Sequence, residues 1–122
     1  MAKIIVKEPN KDIVVVDIPS KDVWQYMRNA VCEGEGIAVL DRVHLADPPY
    51  TFTLYVDDEG KLKNYPLNFK MQVNNRMCPI EEIVGTACFA RGKIVDDDIE
   101  YTDVTEQDIF IVRNIIAVGK ML

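Results

Sequence analysis

The chain has 122 residues, 48% of them hydrophobic and 28% charged. That fits one domain of ordinary size, excludes wholesale disorder, and leaves no need for a metal or disulfide to hold a core. With 20 Asp and Glu against 14 Lys and Arg the net charge is −6, which disfavours duplex nucleic acid and membrane as main partners unless cations gather on one face.

The three cysteines are Cys32, Cys78 and Cys88, with no C-x-x-C spacing. An odd, sparse set points to reduced thiols and a cytoplasmic protein. No signal peptide is visible, and no apolar run approaches the roughly 18–20 residues that span a bilayer.

In chain order, Lys3 to Lys7 and Ile13 to Ile18 are β-rich runs around a turn cluster, Glu8 to Asp12. They predict an N-terminal hairpin. Ser20 is placed to cap a short helix from about Lys21 to Cys32, with Val23, Met27, Ala30 and Val31 at helical spacing. Glu33-Gly34-Glu35-Gly36 stops it, and Ile37 to Val43 reads as a strand. Thr51 to Val56 alternates, with Phe52, Leu54 and Val56 on one face and Thr51, Thr53 and Tyr55 on the other. Asp57 to Gly60 is a turn, and Lys61-Leu62 begins a return strand. Pro66 and the Asn74-Asn75 pair then predict an irregular loop, with one helical turn near Leu67 to Met71. Ile80 to Ala90 reads as one buried strand, bulged or closely approached at Gly85. Lys93 to Val95 and Asp98 to Tyr101 form a short hairpin. Thr105 and Asp108 make a capping box, with Asp where Glu or Gln is usual. Val104 and Ile109 supply the hydrophobic staple. Ile109, Val112, Ile115, Ile116 and Met121 form the helix's apolar stripe, and Gly119 is its C-cap. The expected fold is one α+β domain over 1–122: an antiparallel or mixed sheet, an N-terminal hairpin, a short helix after it and a capped C-terminal helix, the helices on one side.

Three segments in this order resemble a family of small phage and mobile-element proteins classed as a domain of unknown function. They are Ile4 to Pro9, then Tyr55 to Leu62 with Pro66-Leu67-Asn68, then Ile83 to Thr86 with Val104 to Ile109. The stretch from Asp41 to Tyr50 departs from the family pattern. The resemblance implies an α+β fold and a mobile-genome origin, and it carries no reaction or catalytic residue.

Gly60 to Met77 contains Lys61, Lys63, Lys70 and Arg76 and no acidic residue. An acidic protein that holds an anion needs such a local positive region. Tyr65 and Phe69 could stack on a base, and Asn68, Asn74 and Asn75 could read polar edges. Thr86 would offer a hydroxyl beside Gly85, and Arg91 and Lys93 could join the patch. The bland reading is a solvated loop whose lysines guard an edge against aggregation.

Other candidates are weaker. Asp96-Asp97-Asp98 with Glu100 lacks EF-hand spacing and reads as a solvated turn, so no metal and no cofactor is assigned. His44 is the only histidine and stands beside a Pro-Pro turn. Cys88 reads as packing. Trp24 plugs the core margin, or alternatively anchors a partner. There is no P-loop, dinucleotide glycine pattern or nucleophile elbow. The expectation is a non-enzymatic binding protein that sequesters a small anionic, nucleotide-like molecule or blocks a host protein. The alternatives are a protein-interaction or homo-oligomerisation module, using Trp24 and the acidic face, and a metal-dependent hydrolase.

Overall fold

A computed structural model of the chain describes residues 1–32, 40–44, 48–73, 77 and 79–122, with residues 40–44 described by backbone alone. Strands β1 (Ala2–Lys7) and β2 (Val14–Ile18) form the N-terminal hairpin, from Ala2 opposite Ile18 to Val6 opposite Val14. A 3-10 turn at Ser20–Asp22 leads into helix α1 (Val23–Val31). The expected cap at Ser20 is not made: Asp22 stands at the N-cap, without a side-chain cap bond, because the 3-10 turn moves the helix start two residues on.

Strands β3 (Leu40–His44) and β4 (Tyr50–Asp57) pair antiparallel. The expected return strand at Lys61-Leu62 is instead part of a turn closed by Lys63 N–H to Glu59 C=O and Tyr65 N–H to Gly60 C=O, each 3.0 Å. The strand comes later, as β5 (Leu67–Gln72), where a loop and helical turn were expected. Pro66 stands just before β5, so its missing N–H removes no ladder bond. β5 pairs with β6 (Ile80–Val84) as a separate two-stranded ribbon. The run expected as one strand from Ile80 to Ala90 is therefore two. Gly85, at φ +72°, breaks it, and β7 (Ala87–Val95) then joins the main sheet. β7 turns at Asp96 and Asp97, both left-handed at φ 50° and 64°, into β8 (Asp98–Thr102). Two such residues suit the tight turn of a twisted hairpin.

The main sheet runs β2-β1-β7-β4-β3, with β8 also beside β7, and all these pairs are antiparallel. β1 and β8 share one edge of β7: β1 pairs with Ala87 to Phe89 and β8 with Arg91 to Val95. Successive residues of β1, β4 and β7 are buried, with no polar alternation, which means both faces of the sheet are covered. On one face Ala2, Ile4, Val6, Tyr55, Cys88 and Ala90 pack against Val23, Met27 and Val31 of α1. On the other, Ile5, Phe52, Leu54 and Phe89 meet Phe69, Met71 and Ile83 of the ribbon and Val112 of the last helix, α2 (Glu106–Gly119). Phe89 stacks between Phe52 and Phe69, at centroid distances of 5.9 and 6.3 Å. Each fully buried large apolar side chain stabilises by about 2 kcal/mol. The α+β class, hairpin, early short helix and C-terminal helix are as expected. The helices lie on opposite faces, not one, because β1, β4 and β7 present apolar residues both ways.

The capping box of α2 is present. Thr105 Oγ1 accepts from Asp108 N–H at 3.1 Å, and Asp108 Oδ2 accepts from Thr105 N–H at 2.8 Å. Gly119 is the last helical residue, not a left-handed cap: Lys120 follows in the right-handed region. Gly119 is needed for another reason, since a Cβ there would collide with the Lys70 carbonyl of β5. Met121 lies past the helix and is exposed, so it leaves the apolar stripe. No described helix is long and apolar enough to cross a membrane.

Candidate functional site

Lys7 ends β1 on the same face as Ile5, two residues on, where the pleat points into the ribbon-side core. It is 7% exposed. Its ammonium donates to the Glu8 carbonyl at 2.8 Å and to Asn68 Oδ1 at 2.9 Å. Asn68 Nδ2 donates in turn to the carbonyls of Lys7 (2.7 Å) and Gly85 (2.8 Å). One side chain thus joins the ends of β1 and β6 to the start of β5. Burial pulls the Lys7 pKa below its ordinary value; Asp12 opposes this and Lys120 adds to it.

Lys7 stands in the wall of a cleft of about 740 Å³. The β1–β2 turn (Asn10, Lys11, Asp12), the first half of β5 and the end of α2 enclose it. The close contact of Gly119 with β5 fixes the α2 side. Lys7, Lys11, Lys70 and Lys120 line the cleft, and among the described residues Asp12 is the one acidic side chain in the lining. Lys7, Lys70 and Lys120 have no carboxylate ion pair among the described residues. Lys11 meets Glu8 at 3.2 Å, and Asp12 meets Arg113 at 3.4 Å; both are exposed pairs, each worth under about 1 kcal/mol. The carbonyl end of α2 offsets part of the positive charge.

The residues expected from sequence to share one pocket are spread over several places. Asn68 and Lys70 belong to the lysine cleft. Tyr65 and Thr86 line a neighbouring hollow of about 270 Å³ that shares Asn10 and Lys11 with it. The Tyr65 ring packs on Gly85, where an added Cβ would lie 2.6 Å from Cδ2, and carries the Lys63 ammonium 5.9 Å from its centroid. Lys61 pairs with Glu81 at 3.3 Å, on a different hollow of about 420 Å³ lined by five apolar residues and by Asp57, Asp58, Glu81 and Glu82. Lys63 pairs with buried Asp57 at 2.8 Å. Arg91 lies on the far side of the ribbon-side core, bound to Asp108. Arg76 lies outside the described residues, as do Asn74, Asn75, Cys78 and the His44 side chain. Lys7, Lys11 and Lys120 were not anticipated. The one available signal was a lysine two residues after Ile5, at an inward position of an apolar strand.

The other buried charges are satisfied. Asp57 accepts from Lys63, from Glu59 N–H at 2.9 Å and from Tyr65; these hold its pKa below the ordinary value although burial works against them. Asp108 accepts from Arg91 Nε at 2.7 Å and Nη2 at 3.0 Å. Burial of Asp108 is again outweighed, first by Arg91, and its pKa is lowered. Burial, with Asp57 adjacent, pushes the Cys32 thiol up to about 11, and burial takes Cys88 to about 12. Neither thiol ionises at neutral pH, so neither is an activated nucleophile. Among the described residues no three His, Cys, Asp or Glu side chains are grouped as metal ligands.

These features define a small α+β domain, its main sheet covered on both faces, with a lysine-lined cleft where ribbon, hairpin and last helix meet. The family model described as "Domain of unknown function (DUF3846)" matches residues 1–116, and the chain belongs to that family. No curated protein and no solved structure matches it.

Proposed function

We propose that this is a non-enzymatic binding protein that holds a small anionic, nucleotide-type molecule in the lysine-lined cleft. One observation carries the reading: four lysines converge on one cleft of a chain whose net charge is −6, and the most buried of them, Lys7, has only neutral acceptors. A buried ammonium without a carboxylate is unfavourable in the free protein. An incoming phosphate or carboxylate oxygen would relieve that and form charge-assisted hydrogen bonds. Lys11, Lys70 and Lys120 would share the anion's remaining charge, and the Asn68 amide would keep Lys7 aimed.

A phage or mobile-element origin, which the resemblance implies, fits this reading. Such a protein would act in the host cytoplasm, lowering the free concentration of a nucleotide signal or engaging a host defence protein. The test is thermal unfolding against a panel of mononucleotides, dinucleotides and inorganic phosphate. A ligand at about 100 times its Kd stabilises by about 2.7 kcal/mol. Lys7→Met and Lys70→Glu are expected to abolish the shift, and Lys61→Glu, outside the cleft, to leave it intact. No shift with any anion overturns the proposal.

A further inference from the structure

Strand β2 ends the main sheet, and no described strand lies beyond it. The bonds of Lys3 fix which of its backbone groups are open. Lys3 N–H donates to Asp103 Oδ1 at 2.9 Å, and the Lys3 carbonyl accepts from Val104 N–H at 3.0 Å. Both groups therefore point away from β2. Lys3 and Asp17, which stand opposite each other, are a non-hydrogen-bonded pair, and such pairs alternate with bonded ones along an antiparallel ladder. Ala2–Ile18, Ile4–Val16 and Val6–Val14 are then the bonded pairs, and Val15 and Asp17 turn their N–H and C=O groups to the open edge. Val14 is 53% exposed and Val15 44%. The open stretch is bounded on both sides: Ile13 N–H is already bound to Asp12 Oδ1 at 2.8 Å, and Pro19 has no N–H. Between those limits β2 has none of the usual edge guards, neither lysine, nor proline, nor a bulge against β1.

We infer that this edge pairs with the same edge of a second copy of the chain, antiparallel about a twofold axis at Val16, giving a dimer with one continuous sheet. The spacing of the open groups selects the register. With Val16 opposite Val16 of the second copy, Val15 exchanges two hydrogen bonds with the second copy's Asp17, and Asp17 exchanges two with its Val15. Every open group on both edges is then used. Centred on Val15, the pairing would set Asp17 against Ile13, whose N–H is taken. Centred on Asp17, it would set Val15 against Pro19 and the two Asp17 carboxylates against each other. The Val16 register also matches side chains. Val14 meets Ile18, and Val16 meets Val16, on the α1 side, where Val16 and Ile18 already pack on the core. On the other side Asp17, the single charge of β2, faces Val15 and not a like charge. At each end Lys11-Asp12 of one copy comes alongside Lys21-Asp22 of the other, a neutral pair against a neutral pair. A strand this short makes a small interface, so the dimer is expected to be weak and to form with rising concentration. The lysine cleft plays no part in this pairing, and neither reading depends on the other.

The test is sedimentation equilibrium of the full chain from about 5 to about 500 µM, with amide hydrogen exchange read by NMR at both ends of that range. A concentration-dependent dimer is expected, in which the Val15 and Asp17 amides exchange several-fold more slowly than in the dilute monomer. Val15→Pro removes an outward N–H but no bond between β1 and β2, a change that an edge strand tolerates. This variant is expected to keep its thermal melt and to stay monomeric throughout. A wild-type chain that is monomeric at every concentration overturns the inference and leaves the edge to a strand of a different protein. A dimer whose Val15 and Asp17 amides exchange as fast as the monomer's overturns it too, because the copies then meet elsewhere. So does a folded Val15→Pro variant that dimerises as strongly as wild type. Should that variant not fold, the exchange comparison on the wild-type chain decides.

Discussion

The Arg91–Asp108 junction and the Lys7 cleft are two ways of burying charge on the same side of the sheet. At the junction both charges have partners: a bidentate guanidinium–carboxylate pair, with Asp108 also bound to the Thr105 N–H. Tyr50 lies under this cation, 5.7 Å from ring centroid to guanidinium, with Lys93 5.9 Å from the same ring. Both carboxylate oxygens of Asp108 are used internally, and the result is architecture: the cap of α2 is locked to β7. At the cleft a buried ammonium has neutral acceptors and open volume beside it. Internally neutralised charge holds a fold, whereas charge left without a counter-ion beside a cavity is available to a ligand.

The largest test of this contrast is Arg91→Met. It leaves Asp108 buried without its partner, and unfolding free energy should fall by about 3 kcal/mol or more in urea titration. Gly119→Ala should come next, at about 2 kcal/mol, because the new methyl meets the Lys70 backbone and one element must shift. The same variant should weaken anion binding, since that contact shapes the cleft wall. Lys7→Met should be mildest, within about 1 kcal/mol. It removes an unpaired buried charge but leaves the Glu8 carbonyl and Asn68 Oδ1 without that donor. A loss as large as that of Arg91→Met would mean Lys7 is structural after all.

The pH dependence separates the two regions further. Asp57 and Asp108 have pKa values below the ordinary 3.8 in the folded chain. Their stabilisation is complete above the unfolded carboxyl range and fades as pH falls through it toward the lowered folded values. Lys7 is lowered from 10.5, so in the alkaline range the unfolded chain holds more protons. Its unfavourable contribution, present at neutral pH, therefore disappears as pH rises toward and past 10.5. Melting curves of wild type and Lys7→Met should diverge only in the alkaline range, and those of wild type and Arg91→Met should converge in acid.

Much of the scaffold was legible from local patterns. The hairpin of β1 and β2, the alternation in β4 and the Thr105–Asp108 box all declare themselves within a few residues. The sequence pattern hides β5 although Phe69 and Met71 alternate inward with Lys70 and Gln72, because Pro66 reads as a strand breaker when it only precedes the strand. Gly85 stands out in the sequence, but a single residue cannot say whether a strand bulges or changes sheets; the pairing of β6 with β5 and of β7 with β1 decides that. The cleft was half legible. Asn68 and Lys70 come from the acid-free stretch, but Lys7 and Lys120 are 113 positions apart in the chain. Only the packing of α2 against β5 brings them to one place. The pairing of Lys61, Lys63 and Arg91 with acids was equally hidden, since net charge says nothing about which groups meet.

The Asn68 bridge has a mechanical consequence. Both of its amide donors bind backbone carbonyls, at Lys7 and Gly85, while its oxygen alone holds the Lys7 ammonium. An anion that draws Lys7 toward itself releases that oxygen to water and leaves the two amide links untouched. On the proposed reading, filling the cleft would need no parting of ribbon from sheet: the molecule would act as a rigid socket rather than a closing jaw.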